Sequence, residues 1–94
     1  MSENKRYREA FVEVRGLLQE HDPHGLMRLY AGDRFDNEIY GYEATTLIER
    51  VKANISSTSV LTELNALAAA SRRAVDPEIS NTAAAKISEV LSAL

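Results

Sequence analysis

The chain has 94 residues, of which 45% are hydrophobic and 27% charged, and its net charge is −3, so we expect one ordinary globular domain over residues 1–94. The absence of cysteine excludes disulfides and thiolate metal sites, the scattered basic residues predict no nucleic-acid partner, and no apolar window approaches the roughly 20 residues of a membrane span. The start "MSENKRYREAF" lacks the apolar core of a secretory signal, which predicts a cytoplasmic protein.

Two helical pieces are predicted in the first third of the chain. An amphipathic helix from Asn4 to about Glu20, with Ser2 as its N-cap, follows from apolar residues spaced three and four apart: Tyr7, Ala10, Phe11, Val14, Leu17 and Leu18. Pro23 disfavours helical backbone at Asp22 and so ends this helix. Residues 23–30 then predict a short helix. Asp22 should accept a hydrogen bond from an N–H group two or three residues on, and Gly32 should end the piece.

Three longer helices are predicted after this point. The second long helix should run from Asp36 or Asn37 to Asn54, with Asp33, Asp36 and Asn37 as candidate caps, and the third from Ser59 to Arg73, capped by a hydroxyl of "ISSTS". Asp76-Pro77 predicts the start of the last helix, with Asn81 as the alternative start. The inward positions are Tyr40, Ala44, Leu47, Ile48, Val51 and Ile55, then Val60, Leu61, Leu64, Leu67 and Ala68, and finally Ile79, Ala83, Ile87, Val90, Leu91 and Leu94.

No useful stretch alternates as a strand would, so the predicted fold is all-α. We expect a compact bundle of three to four main helices with a short helical turn after the first. Close approach of the last two helices is expected at their alanines: Ala66, Ala68, Ala69, Ala70, Ala83, Ala84 and Ala85.

His21, Asp22 and His24 are the candidate metal ligands. Asp22 serves better as a helix cap, and the chain has no other histidine, so we expect solvent-exposed loop histidines and neither metal nor cofactor.

Acid pairs such as Asp33 with Asp36, or Glu38 with Glu43, are candidates for general acid–base chemistry. Nothing in the sequence indicates a raised pKa for them, and so short a chain encloses a substrate poorly. We therefore predict that the protein is not an enzyme.

The stretch from Asp33 to Glu43 combines aromatic residues with four acids and one base. Tyrosines are frequent at interface hot spots, and acids steer a basic partner, which favours a protein-binding surface. Its residues would be Tyr30, Asp33, Phe35, Asp36, Glu38, Tyr42 and Glu43. A structural interpretation stands beside this one. In it Tyr40 packs in the core, Phe35 packs at the start of the second long helix, and the acids cap and solvate.

Two short motifs carry a resemblance to a family of small bacterial all-helical domains. That family has Asp-Pro-x-Gly-Leu, here "DPHGL" from Asp22 to Leu26, and then an Asp-Glu-Tyr-like motif before Glu-Ala, here "NEIYGYEA" from Asn37 to Ala44. The second motif has an altered register and Asn37 in place of an acid, and the proline of the family's usual Gly-x-Pro is missing after Gly32. The resemblance covers about residues 5–73 and leaves out the last helix.

Several members of this family resemble immunity proteins of toxin systems, so the resemblance implies binding to another protein rather than catalysis. We therefore expect a non-enzymatic domain that binds another protein. More specifically, it would be an immunity protein that neutralises a cognate toxin by occluding it. The acids would meet basic residues of the partner, and Tyr30, Phe35 and Tyr42 would be apolar anchors. The alternative is a self-associating structural domain, a homodimer paired through the Ala- and Leu-rich last helix.

Overall fold

The computed structural model describes residues 2–30 and 38–93, except for the side chains of residues 2–4. Over these residues the chain forms the helices α1 (Ser2–His21), α2 (Leu26–Leu29), α3 (Gly41–Val51), α4 (Ser57–Ala70) and α5 (Pro77–Ala93), and no strand. The predicted all-α class is confirmed, with four main helices and one helical turn after the first. None of the described helices combines the length and hydropathy that a bilayer crossing requires.

The four main helices pack in a closed cycle around one core. α1 contacts α3 and α5, and α4 contacts the same two helices. Most of the apolar positions predicted to face inward do so, and the fully buried ones include Val14, Leu18, Leu47, Leu64 and Ile87. Tyr7, predicted on the stripe of α1, is instead 39% exposed, and Leu94 lies outside the described residues. Ala68, Ala83 and Ala84 are buried where α4 meets α5, whereas the other alanines of the predicted contact, Ala66, Ala69, Ala70 and Ala85, face solvent.

The start of α3 differs from the prediction. Residues 38–40 form a turn, and the helix begins at Gly41 because Tyr40 has a left-handed backbone, with φ 72°. The helix ends at Val51 rather than Asn54, which places Ile55 in the following connection, half-buried. The proposed roles of Gly32, Asp33, Asp36 and Asn37 at helix ends fall outside the described residues.

Hydroxyl and carboxylate caps set the starts of α4 and α5. The Ser56 Oγ accepts a hydrogen bond from the backbone N–H of Ser59 at 3.0 Å, so the predicted hydroxyl cap is confirmed and the helix begins at Ser57. Asp76 Oδ1 accepts from the N–H of Glu78 at 2.9 Å, and α5 begins at Pro77. The alternative start near Asn81 is therefore wrong. α1 already includes Ser2, whose predicted capping side chain lies outside the described atoms.

α4 ends at Ala70, three residues before the predicted Arg73. The N–H of Arg73 bonds to the carbonyl of Ala68 at 2.8 Å, and the N–H of Arg72 bonds to that of Ala69 at 3.1 Å. This pair of bonds is a Schellman motif, which requires a left-handed residue just past the helix and usually places glycine there. Here that residue is Arg72, with φ 56°. The motif turns the chain back toward the segment between α1 and α2.

Candidate functional site

The DPHGL segment, Asp22–Leu26, connects α1 to α2 through a tight turn. Asp22 closes α1 with a left-handed backbone, φ 51°, and its N–H bonds to the carbonyl of Leu18 at 2.8 Å. Gly25 is also left-handed, with φ 71°, and its N–H bonds to the carbonyl of Asp22 at 3.0 Å. A Cβ at Gly25 would lie 3.1 Å from Nη2 of Arg73, so both backbone conformation and a close approach favour glycine here.

Asp22 caps α2, but from further away than predicted. Its Oδ1 accepts from the N–H of Met27 at 2.9 Å and its Oδ2 from the N–H of Arg28 at 3.2 Å. These donors lie five and six residues on, whereas we expected a partner two or three residues on. The turn through Pro23 to Gly25 comes between cap and helix, so the carboxylate reaches back across it.

The hydroxyl of Tyr40 holds the DPHGL segment to the start of α3. It donates to Oδ1 of Asp22 at 2.6 Å and accepts from the N–H of His24 at 2.9 Å, with the N–H of Leu26 more distant at 3.5 Å. Tyr40 is 2% exposed, which confirms the structural interpretation for this residue. Burial, and then the hydrogen bond to Asp22, raise the pKa of the Tyr40 phenol.

His24 is buried, so the predicted exposed loop histidine is wrong at this position. Its exposed fraction is 2%, its Nε2 lies 2.9 Å from the carbonyl oxygen of Leu64 in α4, and its ring packs at a tilt against Tyr40 with centroids 5.9 Å apart. A carbonyl oxygen only accepts, so Nε2 carries the proton of the neutral ring. Burial lowers the pKa of His24, although Leu64 and the nearby Glu43 oppose that shift.

Arg73 completes the contacts of the DPHGL segment. Its Nε donates to the carbonyl of His24 at 3.0 Å, and its Nη2 donates to that of Gly25 at 3.3 Å. The sequence placed Arg73 at the end of the third long helix, where it would offset the helix dipole. Instead it follows the Schellman turn and satisfies carbonyls 48 and 49 residues earlier in the chain. We call Asp22, His24, Tyr40 and Arg73 the polar lock.

The three candidate metal ligands do not converge. His24 Nε2 is directed at Leu64, the Asp22 carboxylate is bonded to backbone donors and to Tyr40, and His21 is half-buried with an Nε2 that has no hydrogen-bond partner. Among the described residues no three histidine, cysteine or acidic side chains are arranged to hold a metal ion.

The residues predicted for protein binding divide into three groups. Tyr30, Glu38 and Tyr42 are exposed, and Tyr42, with 71% of its surface accessible, is the most exposed large apolar side chain described. Glu43 is half-buried near His24, so it faces the polar lock in part. Asp33, Phe35 and Asp36 lie outside the described residues.

Leu29 is an exposed apolar residue that the sequence interpretation left out of the site. It is 56% exposed beside Tyr30, at the end of α2. Because Tyr40 bonds to the segment before α2 and directly precedes α3, the exposed ends of both elements are fixed relative to one another. We call Leu29, Tyr30, Glu38 and Tyr42 the aromatic surface.

Fold and site together define a small all-α domain in which a buried polar lock fixes an interhelical segment and supports exposed aromatic side chains. No protein-family model, no curated protein sequence and no solved structure shows a significant match to this chain.

Proposed function

We propose that this chain is a non-enzymatic, cytoplasmic protein-binding domain, and that its partner is a bacterial toxin which it neutralises as an immunity protein by occlusion. The observation that supports the binding role is the exposure of three large side chains, Tyr42, Leu29 and Tyr30. Large apolar side chains concentrated on a surface mark interaction sites, and tyrosine is enriched among residues that dominate binding energy. The toxin as partner rests on the DPHGL motif and the family it resembles.

The use of the buried polar groups supports binding rather than catalysis. His24 and Tyr40 are buried and Asp22 is half-buried, and their hydrogen bonds go to one another and to backbone groups. A general acid or base must reach a proton of the substrate, and these groups are engaged within the fold.

The negative charge of this chain indicates that the surface of its partner is basic. Glu38 is the exposed acid of the aromatic surface, and the whole chain carries a net charge of −3. An acidic surface accelerates encounter with a basic one. Asp33, Phe35 and Asp36 remain predicted members of the interface on the basis of the sequence.

The homodimer alternative has less support. The apolar stripe of α5 that would pair with a second copy is buried inside the domain, at Ala83, Ala84, Ile87 and Leu91. The opposite side of this helix presents polar or small residues such as Asn81, Lys86 and Glu89. Self-association would therefore need a different surface.

The test is a binding measurement on matched surface variants. The chain is immobilised, partners are captured from its native host, and the captured protein is then measured by surface plasmon resonance. Tyr42→Ser should raise the off-rate about tenfold or more, since an interface tyrosine resists dissociation, and Glu38→Lys should lower the on-rate and its salt dependence. Tyr7→Ser, at an exposed tyrosine of α1, is the control and should bind normally. Normal binding by the folded Tyr42 and Glu38 variants would rule out this surface.

Toxin neutralisation needs a separate readout. The partner gene should inhibit growth when expressed alone, and co-expression of the wild-type chain should restore growth while Tyr42→Ser restores it less well. A captured partner that is harmless when expressed would remove the immunity role and leave the binding role standing.

A further inference from the structure

A cleft of about 640 Å³ lies between the DPHGL segment and the connection from α4 to α5. Its walls come from Asp22 to Gly25 on one side and from residues 72–77 on the other, with Arg28 and Ile79 at the margins. The Schellman turn after α4 and the two hydrogen bonds of Arg73 hold these walls in place. The walls are therefore held by hydrogen bonds of the backbone and of the Arg73 side chain.

Three arginines are among the residues that line this cleft: Arg28, Arg72 and Arg73. Arg73 is fixed by the carbonyls of His24 and Gly25, whereas Arg28 and Arg72 are exposed. The salt bridges among the described residues, Arg50–Glu63 and Lys52–Glu49, do not involve the cleft. Its arginines thus have no carboxylate partner within the described part of the chain.

The two acids in the cleft wall are occupied by other donors. The Asp22 carboxylate accepts from Tyr40 and from the N–H groups of Met27 and Arg28. Oδ1 of Asp76 accepts from the N–H groups of Glu78 and Ile79, which also closes the N-terminus of α5 to any other anion. Among the described residues, the cleft is therefore lined by three arginines and by two acids whose carboxylates already accept hydrogen bonds.

Arg72 occupies a backbone conformation that is unfavourable for a residue with a side chain. Its φ of 56° lies in the left-handed region, where glycine is the preferred residue after a helix. An arginine there lowers stability relative to glycine, and its side chain has no carboxylate partner among the described residues. Residues with strained backbones of this kind cluster at functional sites, where the side chain contributes to binding or catalysis.

We propose that this cleft binds an oxyanion, a phosphate or carboxylate group, held by Arg28 and Arg72 with Arg73 as the fixed wall. The planar fork of each guanidinium matches two oxygens of either group. A smaller depression lined by Gly25, Arg28, Leu29 and Arg73 shares three residues with the cleft and adds an apolar contact at Leu29.

Nuclear magnetic resonance titration of the whole chain tests this proposal. Inorganic phosphate and acetate are added separately, with sodium chloride keeping the ionic strength constant. Saturable shifts at the side-chain N–H groups of Arg28 and Arg72 and at the amides of Gly25 and Val75 are expected. The anion that binds more tightly identifies the group. Shifts that never saturate, or that spread evenly over the surface, would show charge screening and overturn the proposal.

Matched variants locate the binding. Arg72→Gly keeps the left-handed turn and Arg28→Gln leaves the backbone cap of α2 intact, so both should fold while binding about tenfold more weakly, as expected for loss of a charge-assisted contact. Lys86→Gln removes one positive charge from the exposed side of α5 and should bind as the wild type does. Equal binding by all four proteins, or equal weakening in all three variants, would refute a site at these arginines.

Discussion

Three residues other than glycine have left-handed backbones in the described chain: one begins the DPHGL segment, one bonds to it, and one directly precedes Arg73, which also bonds to it. They are Asp22, Tyr40 and Arg72, with φ values of 51°, 72° and 56°. Each such residue costs roughly 1–2 kcal/mol relative to ordinary helical backbone. The Tyr40 hydroxyl donates to Asp22 and so joins two of these positions, while Arg73, which directly follows the third, donates to the carbonyls of His24 and Gly25. These hydrogen bonds offset part of the cost.

The first prediction concerns the Tyr40 hydroxyl. Tyr40→Phe leaves the ring in the core but removes the acceptor of the His24 N–H and a donor to Asp22. Leaving a buried donor unsatisfied costs about 1–3 kcal/mol, and we expect the free energy of unfolding in urea to fall by that amount. Tyr42→Phe, 71% exposed, is the control and should change nothing. Equal stability of both variants would mean that the hydroxyl does not hold the segment.

The second prediction concerns pH and His24. Burial lowers the folded-state pKa of His24 below its ordinary value of 6.5, so the unfolded chain binds a proton there more readily than the folded chain. The lowered pKa of His24 therefore stabilises the folded state by its full amount above about pH 6.5. This stabilisation declines as the pH falls from 6.5 toward the folded-state pKa of His24. The slope reaches at most about 1.4 kcal/mol per pH unit.

Urea unfolding between pH 8 and about pH 5.5, above the range where ordinary carboxylates titrate, measures this dependence. His24→Gln retains an N–H donor for the Leu64 carbonyl but does not titrate, so its stability should vary less with pH than that of the wild type. Parallel curves for the two proteins would show that His24 does not carry the effect.

At the scale of the elements, the main helices could be predicted from the sequence, but the start of α3 and the burial of His24 could not. Apolar residues spaced three and four apart indicate an inward face whatever the partner, and so the four main helices were predictable. The start of α3 was not, because the left-handed Tyr40 is stabilised by Asp22 and His24, 18 and 16 residues away. His24 was expected in solvent because its partner, Leu64, lies 40 residues on.

The end of α4 carries the third prediction. Arg72→Gly relieves the left-handed strain and should raise the free energy of unfolding by about 1 kcal/mol. Arg72→Ala removes the same charge but keeps a Cβ at φ 56°, so it should give no such gain. Thermal and urea unfolding of both variants check this difference. A gain of equal size in both would assign it to the lost charge instead of the backbone.

At the scale of the whole molecule, the last helix belongs to the fold although it lies outside the family resemblance. α5 closes the cycle of helices by packing against α1 and α4, and it contributes Ile87 and Leu91 to the core. The resemblance covered about residues 5–73. A domain of that length from this chain would expose the inward faces of two helices.

The fourth prediction follows from this closure. Removing residues 76–94 should abolish cooperative unfolding and expose apolar surface that binds a hydrophobic dye, since a large share of the core is lost. Removing only residues 93–94 leaves Ile87 and Leu91 in place and should preserve a cooperative transition. A shortened chain that still unfolds cooperatively would show that α1, α3 and α4 suffice.

The polar lock has a consequence for hydrogen exchange. The His24 amide lies in an irregular segment, where amides usually exchange through small local openings. Its acceptor is the Tyr40 hydroxyl. His24 is also held to α4 by the hydrogen bond of its ring to Leu64, and to the connection after α4 by Arg73. Releasing this amide requires contacts with three distant parts of the chain to break together. It should therefore exchange as slowly as the helix amides of the core, through global unfolding.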